Sequence, residues 1–196
     1  MTVVDTEEAL GRAVPRLLEE PVVGFDIESK PCFKKGEFNY PSLLQLATAR
    51  EVILVKLLEI KDRTPLVPFL ESERVVKAGV GIRDDARKLA TLLEFSPGAF
   101  MEIGVLAQKL GYTKTGLAFL TRELFGLKLS KRARLTNWER KDLTPAQIRY
   151  AAADAHISRE IYLKLMGRLT ESDLMEITFC TFPSVPLPQE FGLSRL

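Results

Sequence analysis

Residues 22–30 read VVGFDIESK, an apolar run interrupted by two carboxylates, Asp26 and Glu28. Successive strand side chains point to opposite faces and positions i and i+2 share one, so Asp26 and Glu28 project together. Adjacent carboxylates repel each other and lose hydration near a core, so positive charge is expected between them. Helical periodicity aims two more acids inward. In IRDDARKLATLL (residues 82–93), Asp85 shares the apolar stripe with Ile82, Leu89 and Leu92, whereas Asp84 falls with Lys88 and Thr91 on a solvent face. Asp85 also stands in a first helical turn, where Asp commonly serves as a cap. In LTPAQIRYAAADAHISREIYLKL (residues 143–165), Asp154 follows Tyr150 by one turn, in line with Ile157, Ile161 and Leu165. An acid on a buried stripe is costly unless paired or liganded. Alanines 151, 152, 153 and 155 let other backbone come close, and His156, the only histidine, lies about 200° around the helix from Asp154.

Three separate segments thus each direct acid toward the interior, and together they make a convergent cluster with Tyr150 beside it. Cys32 and Cys180 form no CxxC pair, so zinc and a disulfide framework are both poorly supplied. The fitting occupant is a hard divalent cation, Mg²⁺ or Mn²⁺. Two such ions would neutralise four carboxylates and could clamp the attacking and leaving oxygens of a phosphodiester.

The elements that must position these acids follow from periodicity and punctuation. Thr6 caps a helix to Glu20. Strands are expected at 22–27, 42–48 and 51–56, the last two as a hairpin. A short helix over 65–70, a strand in RVVKAGV and a helix over 82–94 come next, then a short strand at FMEIG running into a helix. TGLAFLTRELFG is a helix ended by Gly126. The long helix from about 145 to 167 opens with Thr144 as N-cap, Pro145 at its first position and Gln147 completing a capping box. This order predicts an α/β fold with a mixed sheet. The 196 residues suit a domain over 1–168, with a proline-rich tail over 169–196 packed on it or extending from it.

Composition is that of an ordinary globular chain, 46% apolar and 28% charged, with net charge +2. The charge is unevenly placed. KLSKRARLTNWERK (residues 128–141) holds six basic residues against Glu139, a strip suited to phosphates or to plain solvation. Lys34, Lys35, Lys131, Arg132 and Arg134 are the candidate phosphate contacts. Phe33, Phe38, Tyr40 and Trp138 could stack on a terminal base or act as packing anchors. The acidic, polar N-terminus does not read as a signal peptide and no run is long enough to span a membrane, so a cytoplasmic location is expected.

FDIES, VGIRDDARKL and YAAADA resemble, in order, the three motifs of the DEDD exonucleases. The Tyr four residues before the last Asp is similar to the DEDDy branch, which includes ribonuclease D and the Werner exonuclease domain. YPSLLQLA and LTNWERKDLTPAQIRYAAADA extend the likeness, which covers about residues 5–165. The resemblance implies an RNase H-like fold with a five-stranded mixed sheet. It also implies metal ligands at Asp26, Glu28, Asp85 and Asp154, a catalytic Tyr150, and release of nucleoside monophosphates from a nucleic acid with a free 3′ end. A non-catalytic RNase H-like module that binds nucleic acid or protein is the alternative. A phosphatase acting on small substrates lacks a phosphate-cradling glycine loop, since GVGIRDD is too short.

Overall fold

The computed structural model describes residues 1–34, 36–175 and 177. Strands β1 (Thr2–Val4), β2 (Val22–Ser29), β3 (Pro41–Ala47), β4 (Val52–Lys56), β5 (Val76–Gly79) and β6 (Phe100–Glu102) form one sheet in the order β1-β4-β3-β2-β5-β6. The β2–β3 and β3–β4 pairs are antiparallel; β1–β4, β2–β5 and β5–β6 are parallel. The sheet is mixed, as expected, but has six strands rather than five. The extra one is β1, whose three residues pair with Ile53–Val55 and are too few to display a period.

Helices cover both faces. Those on one side are α1 (Glu7–Leu18), capped by the Thr6 side chain, α2 (Val67–Leu70), which continues a 3₁₀ turn over Thr64–Leu66, and α3 (Ile82–Leu89). Their core against the sheet includes Leu10, Leu17, Phe25, Leu44, Leu46, Phe69, Leu89 and Phe100. Helix α3 ends at Leu89 rather than near 94, and Ala90–Leu92 continue only as turns. The other face carries α4 (Ile103–Lys109), α5 (Leu117–Phe125), closed by Gly126 at φ 69°, and α6 (Pro145–Met166). The expected capping box is present, with the Thr144 side chain accepting from Gln147 N and Gln147 accepting from Thr144 N. Fully buried Ile103, Leu106, Leu120, Ile161 and Leu165 fill that layer.

The tail region begins with a further helix, α7 (Glu171–Met175), and Leu169 and Ile177 pack against this second layer. The remainder of the expected tail, from 178 onward, lies outside the described residues. Among the described residues no helix is long and apolar enough to cross a membrane.

Candidate active site

Strand β2 sorts its side chains by parity. Val23, Phe25 and Ile27 enter the core beneath α1–α3, leaving Gly24, Asp26 and Glu28 on the face crossed by α6. Gly24 is where that crossing is closest. A Cβ there would fall on the Ala155 carbonyl oxygen, far inside contact distance, and within 2.9 Å of the Arg159 nitrogen. Only a residue without a side chain lets the helix backbone reach the strand. Asp154 immediately precedes Ala155 and Asp26 stands two residues beyond Gly24, so this approach brings Asp154 over Asp26 and Glu28.

One carboxylate oxygen from each of Asp26, Glu28 and Asp154 lies within 4.8 Å of the others. Among the described residues none of these three is held in a salt bridge. Burial raises all three, and repulsion from neighbouring acids adds to it at Asp26 and Glu28. Asp26 is pushed well above the usual carboxylate range by desolvation, then by Asp85, Glu28 and Asp154. Glu28 rises to about 8, through burial and then Asp154. Asp154 rises only to about 6, because Tyr150 and Arg134 offset part of its burial.

Asp85 is inward, as its periodicity predicts, at 8% exposure, while Asp84 points to solvent and pairs with Arg87 at 2.7 Å. Burial pushes the Asp85 carboxyl up to about 7. Asp85 stands beside the trio rather than within it, its Oδ1 3.9 Å from Lys88 Nζ. Tyr150 is half-buried, and burial and the Asp154 charge raise its phenol above the ordinary value. His156 is exposed and takes no part. A set of crowded, buried oxygen donors with no ion pair among them fits a hard divalent cation.

Asp26, Glu28 and Asp154 form the floor of a cleft of about 560 Å³, walled by Leu117 and Phe119 of α5 and by Leu129, Lys131 and Arg134 of the basic loop. Lys88 lines it too. Its i+3 offset from Asp85 could have revealed this, but its polar neighbours Asp84 and Thr91 made it read as purely solvent-facing. The basic loop is tied to α6 by Gln147 Nε2, which donates to Thr136 Oγ1 at 3.0 Å and to the Asn137 carbonyl at 2.9 Å. The loop is tied to the sheet by Lys56 Nζ, which donates to the Lys141 carbonyl.

Trp138, a candidate stacking surface, is instead 1% exposed. It is packed with Leu43, Leu54 and Ala151, its ring 6.0 Å from that of Tyr150. A buried indole cannot meet a base; it anchors the loop that presents Arg134. Arg132 is exposed and lines a smaller cavity with Tyr150 and Asp154. Phe33, Lys34, Phe38 and Tyr40 are exposed on the β2–β3 loop, where Phe38 and Tyr40 meet edge to face at 5.2 Å. Of these, Phe38 lines a side cavity that shares Glu28, Lys88 and Arg134 with the main cleft. Lys35 lies outside the described residues.

Glu102 was not visible as functional in the sequence. Its carboxylate accepts from Gly81 N at 3.0 Å, Ile82 N at 3.1 Å and Gly104 N at 3.2 Å. It thereby caps both α4 and α3, the helix that carries Asp85.

A mixed RNase H-like sheet, with acids from its central strand and from the helix laid across it, defines a carboxylate-centred α/β domain. The sequence profile of the 3′-5′ exonuclease family matches residues 1–170, and the chain belongs to that family. It is 34% identical over 170 residues to ribonuclease D of Gluconacetobacter diazotrophicus, covering 85% of this chain and 42% of that protein. It is 33% identical over 156 residues to the bifunctional 3′-5′ exonuclease/ATP-dependent helicase WRN of Mus musculus, covering 76% of this chain and 11% of that one. The crystal structure of Escherichia coli RNase D superposes with a TM-score of 0.75 at 26% identity, over 84% of this chain and 44% of that chain. The chain therefore spans less than half the length of these relatives.

Proposed function

We propose that the protein is a metal-dependent 3′-5′ exonuclease of the DEDDy type. It hydrolyses the terminal phosphodiester of a nucleic acid with a free 3′ end and releases nucleoside monophosphates. The observation that carries this reading is the convergence of Asp26, Glu28 and Asp154 within 4.8 Å on the floor of a cleft with cationic walls. A module that only bound a partner would have no need to gather acids at such electrostatic cost.

Asp26, Glu28 and Asp154, with Asp85 beside them, would hold two Mg²⁺ or Mn²⁺ ions, which when bound lower the pKa of water and stabilise charge on the leaving oxygen. Tyr150 is protonated at neutral pH even at the ordinary phenol value of about 10, so it orients the attacking water by a hydrogen bond and does not serve as the base. Lys88, Lys131 and Arg134 offset the phosphate charge, and Leu117 and Phe119 offer apolar contact to the terminal nucleoside. Water oxygen bonds to phosphorus as the P–O3′ bond breaks. The shortened strand keeps a 3′-hydroxyl, and the released nucleotide keeps its 5′-phosphate.

The test is digestion of 5′-labelled DNA and RNA strands with free or blocked 3′ ends. Shortening from free 3′ ends in Mn²⁺ or Mg²⁺, abolished by chelation and reduced about a hundredfold or more by Asp26→Asn, supports the reading. Full activity in Asp26→Asn would overturn it.

A further inference from the structure

Of the four buried side-chain polar atoms without a hydrogen-bond partner among the described residues, two belong to one side chain: Nε2 and Oε1 of Gln45. Buried polar groups are nearly always paired, and leaving one unmet costs about 1–3 kcal/mol. Gln45 is fully buried, in the middle of β3, where an apolar residue would satisfy every local preference. Its neighbours on β3, Leu44 and Leu46, face the core beneath α1–α3, so Gln45 faces α6.

Register gives the orphaned amide a neighbour. Gln45 is the direct antiparallel partner of Asp26. Directly opposed residues on one face hold their Cβ atoms about 4.5–5.5 Å apart, within the reach of a Gln side chain. On its other side Gln45 pairs with Leu54, part of the apolar cluster around Trp138. Among the described residues, the only acid paired directly with Gln45 on the sheet is thus Asp26, the central one of the carboxylate cluster.

We propose that Gln45 is a positioning residue for Asp26: in the ion-loaded protein its side-chain N–H donates to the Asp26 carboxylate, directly or through one water. That bond fixes the carboxylate rotamer, so that its remaining oxygen lone pairs point at Glu28 and Asp154. Groups that orient a metal-binding carboxylate in this way typically matter by about 10–100-fold in affinity or activity. The inference rests on the nuclease reading for its consequence in turnover, but not for its consequence in ion binding.

Gln45→Met keeps the length and shape of the side chain and removes both polar ends; Gln45→Leu is the second variant. Three quantities are compared with the parent protein: the unfolding midpoint in chelator, Mn²⁺ affinity by calorimetry, and kcat and KM on a 3′-hydroxyl oligonucleotide. Removing an unmet buried amide should leave the midpoint in chelator unchanged or raise it by about 2–4 °C. Mn²⁺ affinity and kcat should fall about tenfold or more, with KM within about twofold. A residue that served only packing would give the reverse, a lowered midpoint with Mn²⁺ affinity intact, and that result overturns the proposal. So does an unchanged Mn²⁺ affinity in both variants. If the parent protein binds Mn²⁺ but cleaves nothing, the nuclease reading fails, while the affinity comparison still decides the role of Gln45.

Discussion

Asp84 and Asp85 are adjacent, chemically identical and opposite in fate. One sits on solvent with Arg87; the other is buried beside Asp26. Asp84→Asn should leave nuclease turnover within about twofold, since a solvent-exposed pair contributes little, whereas Asp85→Asn should lower kcat by at least about tenfold. Parallel steady-state assays decide this, and equal losses in the two variants would refute the assignment. Tyr150→Phe tests the companion role. On the proposed role, in which the phenol is a donor and not the base, kcat should fall while the pH of half-maximal activity stays put; a displaced pH profile would make Tyr150 the titrating group. At this scale the sequence is legible wherever a period fixes direction, as it does for both aspartates, for Tyr150 with Asp154, and for the outward His156. It is illegible where direction depends on a loop. Trp138 lies in an aperiodic segment, so nothing local distinguished a stacking surface from an anchor. Gln45 escaped for another reason: a polar residue inside an apolar strand gains meaning only once its cross-strand partner is known.

The elements meet at two devices. At the first, Gly24 lets α6 lie directly on β2, so a methyl group there must push the helix away. Gly24→Ala should cost about 1–3 kcal/mol of stability. It should also lower kcat more than Asp84→Asn does, because the displaced helix carries Asp154 and Tyr150. A midpoint and kcat indistinguishable from those of the parent would mean that the approach is looser than it looks. At the second device, Glu102 caps α3, whose own cap position, Gly81, has no side chain to offer. Glu102→Ala should cost about 0.5–2 kcal/mol by thermal unfolding, and kcat should fall because the start of α3 holds Asp85 in place. The long amphipathic helices and the β3–β4 hairpin could be read in advance because each shows several turns or alternations of pattern. Strand β1 and the shared cap could not. The first is too short to carry a period, and the second joins residues 20 or more positions apart through a contact that only the fold creates.

The whole molecule carries the electrostatic consequence of the cluster as a pH-dependent stability. Without ions, Glu28, Asp85 and Asp154 have native values of about 8, 7 and 6, against about 4 for the same groups in an unfolded chain. Between these limits the native state binds more protons than the unfolded state, so unfolding free energy falls as pH rises. The stabilisation from these groups is complete below about pH 4 and is lost as pH climbs through 6, 7 and 8. Lys77, buried between Phe69 and Phe100 and donating to the Ser72 carbonyl at 2.6 Å, works in the opposite sense. Burial lowers its amine to about 7, so above that pH the folded protein keeps it neutral while the unfolded chain charges it, and its contribution grows with pH. The unfolding midpoint in chelator should therefore fall most steeply from pH 5 to 7 and flatten beyond. Mn²⁺ requires the carboxylates deprotonated and binds the native state, so it should raise the midpoint at both ends of the range, by more at pH 8 than at pH 6. Scanning calorimetry with and without Mn²⁺ measures both slopes. A midpoint in chelator that is level from pH 5 to 7, or a larger Mn²⁺ shift at pH 6 than at pH 8, would mean that the acids do not share one buried site.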